Sequence, residues 1–160
     1  MGVFMSIRTA FVAISICALA ALPASAQDVD GRPNYGELSL DAGFADDPRI
    51  VDLAAGGDLN ADRISSDCRG FITNAPDYRL HYNSGSLPLI ISVASQSDTT
   101  LVVNGPDGSW YCDDDGGVNG LNPSVRFNEP LSGRYEIWVG TYSSGATQPA
   151  ELHISELGSQ

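Results

Sequence analysis

Asp113, Asp114 and Asp115 follow Trp110 and Cys112 in the stretch GSWYCDDDGG, three carboxylates in consecutive positions. Like charges this close repel, so they need either open water or a cation to offset them. Calcium takes roughly six to eight oxygens and can draw them from several loop segments. Asp98 stands at the head of a neighbouring apolar run, and Asn119 and Asn122 lie just downstream as further oxygen donors. The expected metal set is therefore Asp98, Asp113, Asp114 and Asp115, with calcium as the ion. The spacing is not that of an EF-hand, because Gly117 and Ser124 occupy the positions where that loop needs an oxygen ligand and a bidentate Glu. The competing arrangement is a solvated turn whose Asp side chains accept backbone N–H bonds. Successive strand side chains point to opposite faces, so at most two of the three meet one ion unless the loop curls.

A second candidate site is aromatic. In YEIWV, Tyr135, Ile137 and Val139 alternate as the buried face, which places Glu136, Trp138 and Tyr142 on the opposite one. An exposed Trp beside an acid is a platform on which a sugar ring stacks while its hydroxyls are held, so Trp138, Tyr142 and Glu136 form the expected carbohydrate-binding set. The structural alternative is that the N-terminal segment or a neighbouring strand covers the ring. Trp110, two residues from Cys112, is read as a core partner of that cysteine.

Catalysis finds little support. Nucleophilic chemistry at serine needs a base within hydrogen-bond reach and an oxyanion site. The imidazoles are His81 and His153, and each alternates with apolar neighbours, so both are expected to project from polar strand faces toward solvent. Neither Gly-x-Ser-x-Gly nor His-Glu-x-x-His occurs. A carboxylate-pair hydrolase is not excluded by the sequence, because separations in space cannot be read from it. No catalytic residue is assigned.

The elements that position these groups are strands. Period-two alternation or short apolar runs appear at 37–41, 50–53, 78–82, 89–93, 99–103, 109–112, 125–127, 135–141 and 152–154, divided by Gly, Pro, Asn and Asp. The run at 89–93 is apolar throughout and suits a central strand; Asn104 to Gly108 reads as a hairpin connection. Helical period is missing from the body of the chain apart from a single turn near Asn60-Ala61-Asp62. Eight or nine short strands with one apolar face each imply an all-β fold, an antiparallel β-sandwich or jelly roll.

The first 26 residues read as a secretory signal: Arg8 is followed by an apolar run from Ala10 to Leu22 and by Ala24-Ser25-Ala26, with cleavage expected after Ala26. Cys17 belongs to that segment, and in Ile14-Ser15-Ile16-Cys17 a bulky Ile16 stands where a lipoprotein signal needs a small residue. No later stretch approaches the roughly 20 apolar residues of a membrane span. Residues 27–160 then form one domain, secreted or periplasmic. Cys68 and Cys112 remain, and pairing is the expectation for an exported chain. Closing a loop of about 44 residues stabilises by roughly 4 kcal/mol in the chain-entropy treatment. The 160 residues carry a net charge of −12 and no lysine, which opposes nucleic acid and anionic membranes as partners and leaves cations, proteins and neutral glycans open.

From Asp98 to Tyr142 the chain reads DTTLVVNGPDGSWYCDDDGGVNGLNPSVRFNEPLSGRYEIWVGTY. It resembles the bacterial pre-peptidase C-terminal domain, whose pattern runs Asp, an apolar strand, a Gly-containing hairpin, a strand ending in Asp-Asp, another apolar strand, then Gly-x-Tyr-x-Ile-x-Val. The likeness spans about Asp77 to Ile154. It departs from the family in lacking an accompanying peptidase domain and in adding the Cys68–Cys112 pair and N-terminal strands. The resemblance implies a small, non-catalytic β-sandwich of the kind appended to exported hydrolases, in some cases calcium-binding through acidic loops. The sequence thus points to an exported bacterial binding module with an unidentified protein or glycan as partner.

Overall fold

Every run with strand-like alternation becomes a strand, because burying alternate side chains between two layers is the one way such a sequence removes its apolar face from water. The computed structural model describes residues 1, 2 and 27–160. Residues 3–26, which hold Cys17 and nearly all of the stretch read as a secretory signal, lie outside the described residues. The strands are β1 (Glu37–Asp41), β2 (Arg49–Ala55), β3 (Leu59–Asn60), β4 (Phe71–Ile72), β5 (Tyr78–Asn83), β6 (Leu89–Ala94), β7 (Thr99–Asn104), β8 (Trp110–Asp113), β9 (Ser124–Phe127), β10 (Gly133–Thr141) and β11 (Gln148–Ser155). The helical turn read near Asn60 is a 3-10 turn, Ala61–Arg63, capped by the Asn60 side chain accepting from Asp62 N–H.

Two sheets face each other. One has four strands in the order β2-β11-β6-β9; the other has seven, β1-β5-β10-β4-β3, with β7 and β8 continuing from the second side of β10. The main core lies between them and includes Leu80, Leu101, Tyr135, Ile137 and Val139 from one sheet and Leu53, Leu89, Ile91, Leu152 and Ile154 from the other. Phe127 bridges this core edge-on between Tyr111 at 4.8 Å and Tyr135 at 5.2 Å. The β7–β8 hairpin turns through Asn104–Ser109, where Gly108 adopts φ +78°, a conformation that costs other residues a steric clash. One pairing departs from the antiparallel expectation: β1 runs parallel to β5, with Glu37 opposite Arg79 and Asp41 opposite Asn83. The chain visits the other sheet as β2 between these two strands, so no hairpin dictates their direction.

A second, smaller core sits on the outer face of the seven-stranded sheet. Ala61, Cys68, Ile72, Val102 and Trp138 are buried there, with Val29, Ile64, Trp110 and Cys112 packed against them. The segment from Leu59 to Gly70 roofs this core, and the Cys68–Cys112 disulfide ties the roof to β8. The outer face of the four-stranded sheet is covered in part, over β6 and the end of β11, where Gln160 N–H donates to Ser92 Oγ at 3.1 Å and Leu157 and Gly158 N–H reach Ser155 Oγ, and is open at Ile50, Asp52 and Glu151. Among the described residues no helix is long and apolar enough to cross a membrane.

Candidate functional site

The acidic end of the sandwich is assembled from the start of β7 and the end of β8. Asp113 closes β8 opposite Leu101, and its Oδ2 accepts N–H bonds from Gly116 at 2.7 Å and Ser124 at 2.8 Å. Its carboxylate therefore caps a turn. Asn122 is likewise absorbed, taking a hydroxyl bond from Thr99 on Oδ1 and donating from Nδ2 to Ser95 O. Asp98, Asp114 and Asp115 share one neighbourhood, where burial, then the negative charges of Asp115 and Asp114, hold the Asp98 carboxyl above its usual range. Asp98 Oδ1 is shielded from solvent and has no hydrogen-bond partner among the described residues. Among the described residues, no three His, Cys, Asp or Glu side chains converge closely enough to hold a metal.

The outer face of β10 corrects the carbohydrate expectation. The strand parity is as read, with Tyr135, Ile137 and Val139 inward and Glu136 and Trp138 outward, but this outer face is roofed rather than wet. Trp138 is fully buried and packs against Trp110 beside the disulfide, the ring centroids 5.5 Å apart and the planes tilted by 43°, so it presents no ring face to a ligand. Glu136 is buried too. It lies between the Arg79 guanidinium and the Arg134 guanidinium, whose Nε atoms are 2.5 and 2.9 Å from its Oε1. Arg79 also donates to the Val29 and Gly31 carbonyls, and Arg134 to Asp30, so this cluster fastens the N-terminal segment onto the sheet. Burial pushes the Glu136 carboxyl up, and the two arginines oppose that shift. Tyr142 alone of the three is exposed.

Asp77, to which the sequence reading gave no role, is a structural pin. With no exposed surface, its carboxylate accepts from Val139 N–H at 2.8 Å, Asn34 Nδ2 at 3.0 Å and the Thr73 hydroxyl at 3.3 Å. Burial outweighs these three donors and raises its pKa to about 6. Its partners lie up to 62 residues away in sequence, and nothing local in the chain announces them. Glu156 plays a similar part, accepting from the Tyr82 hydroxyl and from Gly43 N–H.

The histidines divide. His81 is exposed, as expected, 3.5 Å from Glu37. His153 is not: it is 4% exposed, because the C-terminal residues close over the outer face of the sheet that carries it. Its Nε2 meets Glu151 at 3.0 Å, and Ser92 stands directly opposite on β6. A Ser, a His and a Glu are thus neighbours, but they do not form a relay. Among the described residues His153 Nδ1 has no partner, and the Ser92 oxygen accepts from the Gln160 amide.

An open groove of about 700 Å³ crosses the same sheet, lined among others by Asp52, Ala94, Ser97, Asn119, Gln148 and Glu151. Ser97 links it to the acidic end at Asp98.

No protein-family model matches the chain, and no curated protein matches it. Among solved structures it is similar to PliG of Aeromonas hydrophila, a periplasmic lysozyme inhibitor of g-type lysozyme. The identity is 16% and the TM-score 0.38, over 75% of this chain and 96% of that one. A likeness at that distance carries no argument about what this chain does.

Proposed function

We propose that this protein is an exported, non-catalytic β-sandwich module of pre-peptidase C-terminal type that binds another protein through its acidic surface. One observation carries the reading. The buried carboxylates are taken up by the fold, Asp77 by a backbone amide, Asn34 and Thr73, Glu136 by two arginines, and Glu156 by Tyr82 and Gly43. Surface acids such as Asp52, Asp58, Asp114 and Asp115, by contrast, enter no ion pair among the described residues. Some exposed acids do pair, Asp30, Glu37, Asp46 and Glu151 among them, but those left over give the surface an uncompensated negative field that favours a cationic surface over proton transfer in a cleft.

The test is calorimetric titration of residues 27–160 against a panel of basic exported proteins, with a g-type lysozyme as one arm, alongside hydrolysis assays on peptide and glycan substrates. The expected result is a complex that weakens roughly ten-fold or more as salt rises toward roughly 0.5 M, with both hydrolysis assays silent. Turnover of either substrate class that is lost on replacing Asp98 or Ser92 would overturn the reading.

A further inference from the structure

We infer that the outer edge of β2 receives an extended, basic segment of the partner protein by strand addition, which deepens the binding-module reading above and rests on it. β2 is the terminal strand of the four-stranded sheet and the longest edge strand among the described residues, running from Arg49 to Ala55. The direction of its backbone groups follows from two contacts. Ala54 N–H donates outward to the Tyr35 hydroxyl at 3.1 Å, while Pro149, directly opposite Ala54 on β11, has no N–H to offer and turns its carbonyl toward Ser95. Ala54 and Pro149 are therefore a non-hydrogen-bonded pair, and by alternation so are Asp52 with Glu151 and Ile50 with His153. The N–H and C=O groups of Ile50 and Asp52 consequently point away from the sheet, and neither N–H finds a partner among the described residues. The outward groups of Ile50 and Asp52 form a short unpaired edge, bounded by Tyr35 at Ala54, and such an edge is a template for another strand.

Charge selects the occupant. Non-hydrogen-bonded pairs bring opposing side chains closest, so the Asp52 and Glu151 carboxylates face each other at the tighter type of position, an arrangement that is destabilising between like charges. Glu151 is bonded by His153, but Asp52 enters no ion pair among the described residues. Both line the open groove. A strand added beside β2 places one residue next to Asp52 on this outer face, where an arginine relieves the repulsion. Alternate residues of the same strand fall beside Val51 and Leu53 at the margin of the core and are best apolar. Ile50, 53% exposed, supplies an apolar contact two positions from Asp52. A second copy of this chain is disfavoured, because pairing β2 with itself adds like charges along an edge of a molecule already at −12.

The probe is acetyl-Val-Arg-Val-Arg-Val-Arg-Val-amide, added at millimolar concentration to residues 27–160 while amide hydrogen exchange is followed residue by residue. The expected result is that Ile50 and Asp52 amides slow roughly ten-fold or more. The same peptide with alternate backbone N-methyl groups, which keeps the charge and removes strand pairing, leaves them unchanged. Ile50→Pro deletes an amide that the sheet does not use, so it retains the wild-type unfolding midpoint and loses the peptide; Asp52→Arg weakens the peptide at least roughly ten-fold. Equal binding of the methylated peptide, or no protection at Ile50 and Asp52, overturns strand addition. Protection of those amides without peptide in a sedimenting dimer overturns the choice of partner. A basic protein that binds wild type and Ile50→Pro alike leaves the binding-module reading standing and removes the β2 edge from it.

Discussion

Asp77→Asn isolates the pH dependence that one buried carboxyl builds into this fold. Asp77 is fully enclosed, and burial lifts its pKa from 3.8 to about 6. The folded state therefore keeps a proton that the unfolded chain has already released, so the residue's stabilising contribution is complete below about pH 4 and is lost as pH rises through about 6. A shift of roughly two units corresponds to about 3 kcal/mol over the whole titration, of which about 2 kcal/mol falls between pH 4 and pH 7. Asparagine cannot titrate. Its amide oxygen still accepts from Val139 N–H, so the substitution adds a constant offset and removes the slope. The assay is urea unfolding with the disulfide intact, followed by tryptophan fluorescence at fixed ionic strength from pH 4 to pH 8. Relative to Asp77→Asn, the wild type is expected to lose about 2 kcal/mol across that range. A flat difference would refute the reasoning, and a wild type that gains on the variant as pH rises would show that the three hydrogen-bond donors, not burial, govern this carboxylate.

Three other outcomes test the remaining parts of the structure. Replacing Cys68 and Cys112 together by serine is expected to cost about 4 kcal/mol in chain entropy and to red-shift the tryptophan emission as the roof over Trp138 loosens; an unchanged unfolding midpoint would mean that the 59–70 segment holds without its tether. Trp138→Ala is expected to destabilise by about 3–5 kcal/mol, and retention on an insoluble polysaccharide is expected to be equally absent before and after the change, as measured by denaturation and pull-down. Asp115→Asn is expected to raise the melting temperature by about 1–2 °C at low salt by thinning the like charges around Asp98. Because no set of metal ligands converges among the described residues, a rise of the wild-type midpoint in millimolar calcium that chelator reverses would show that the acidic end rearranges around an ion. No response to calcium in either protein would remove the ion from the acidic end.

Strand positions were legible because a strand buried on one face writes its period directly into the chain. Tyr78-Leu80-Tyr82 and Tyr135-Ile137-Val139 could be placed on an inward face without coordinates, and both are in the main core. The Cys68–Cys112 pair needed only a count of cysteines in a chain read as exported. The turn-capping alternative for Asp113 was also available, since Asp and a following Gly-Gly are turn chemistry. By contrast β3 and β4, with two residues each, are too short to show any period.

Alternation along the chain determined which side chains share a face, and for Trp138, Glu136 and His153 it assigned that face correctly. Only the tertiary structure decided what lies over it. The roof on Trp138 comes from residues 59–70, the clasp on Glu136 from Arg79 and the N-terminal segment, and the cover on His153 from the chain's last residues. Periodicity is a local property set by backbone geometry, whereas covering a sheet face depends on where distant segments find apolar surface and hydrogen-bond partners, and no period in the strand records that.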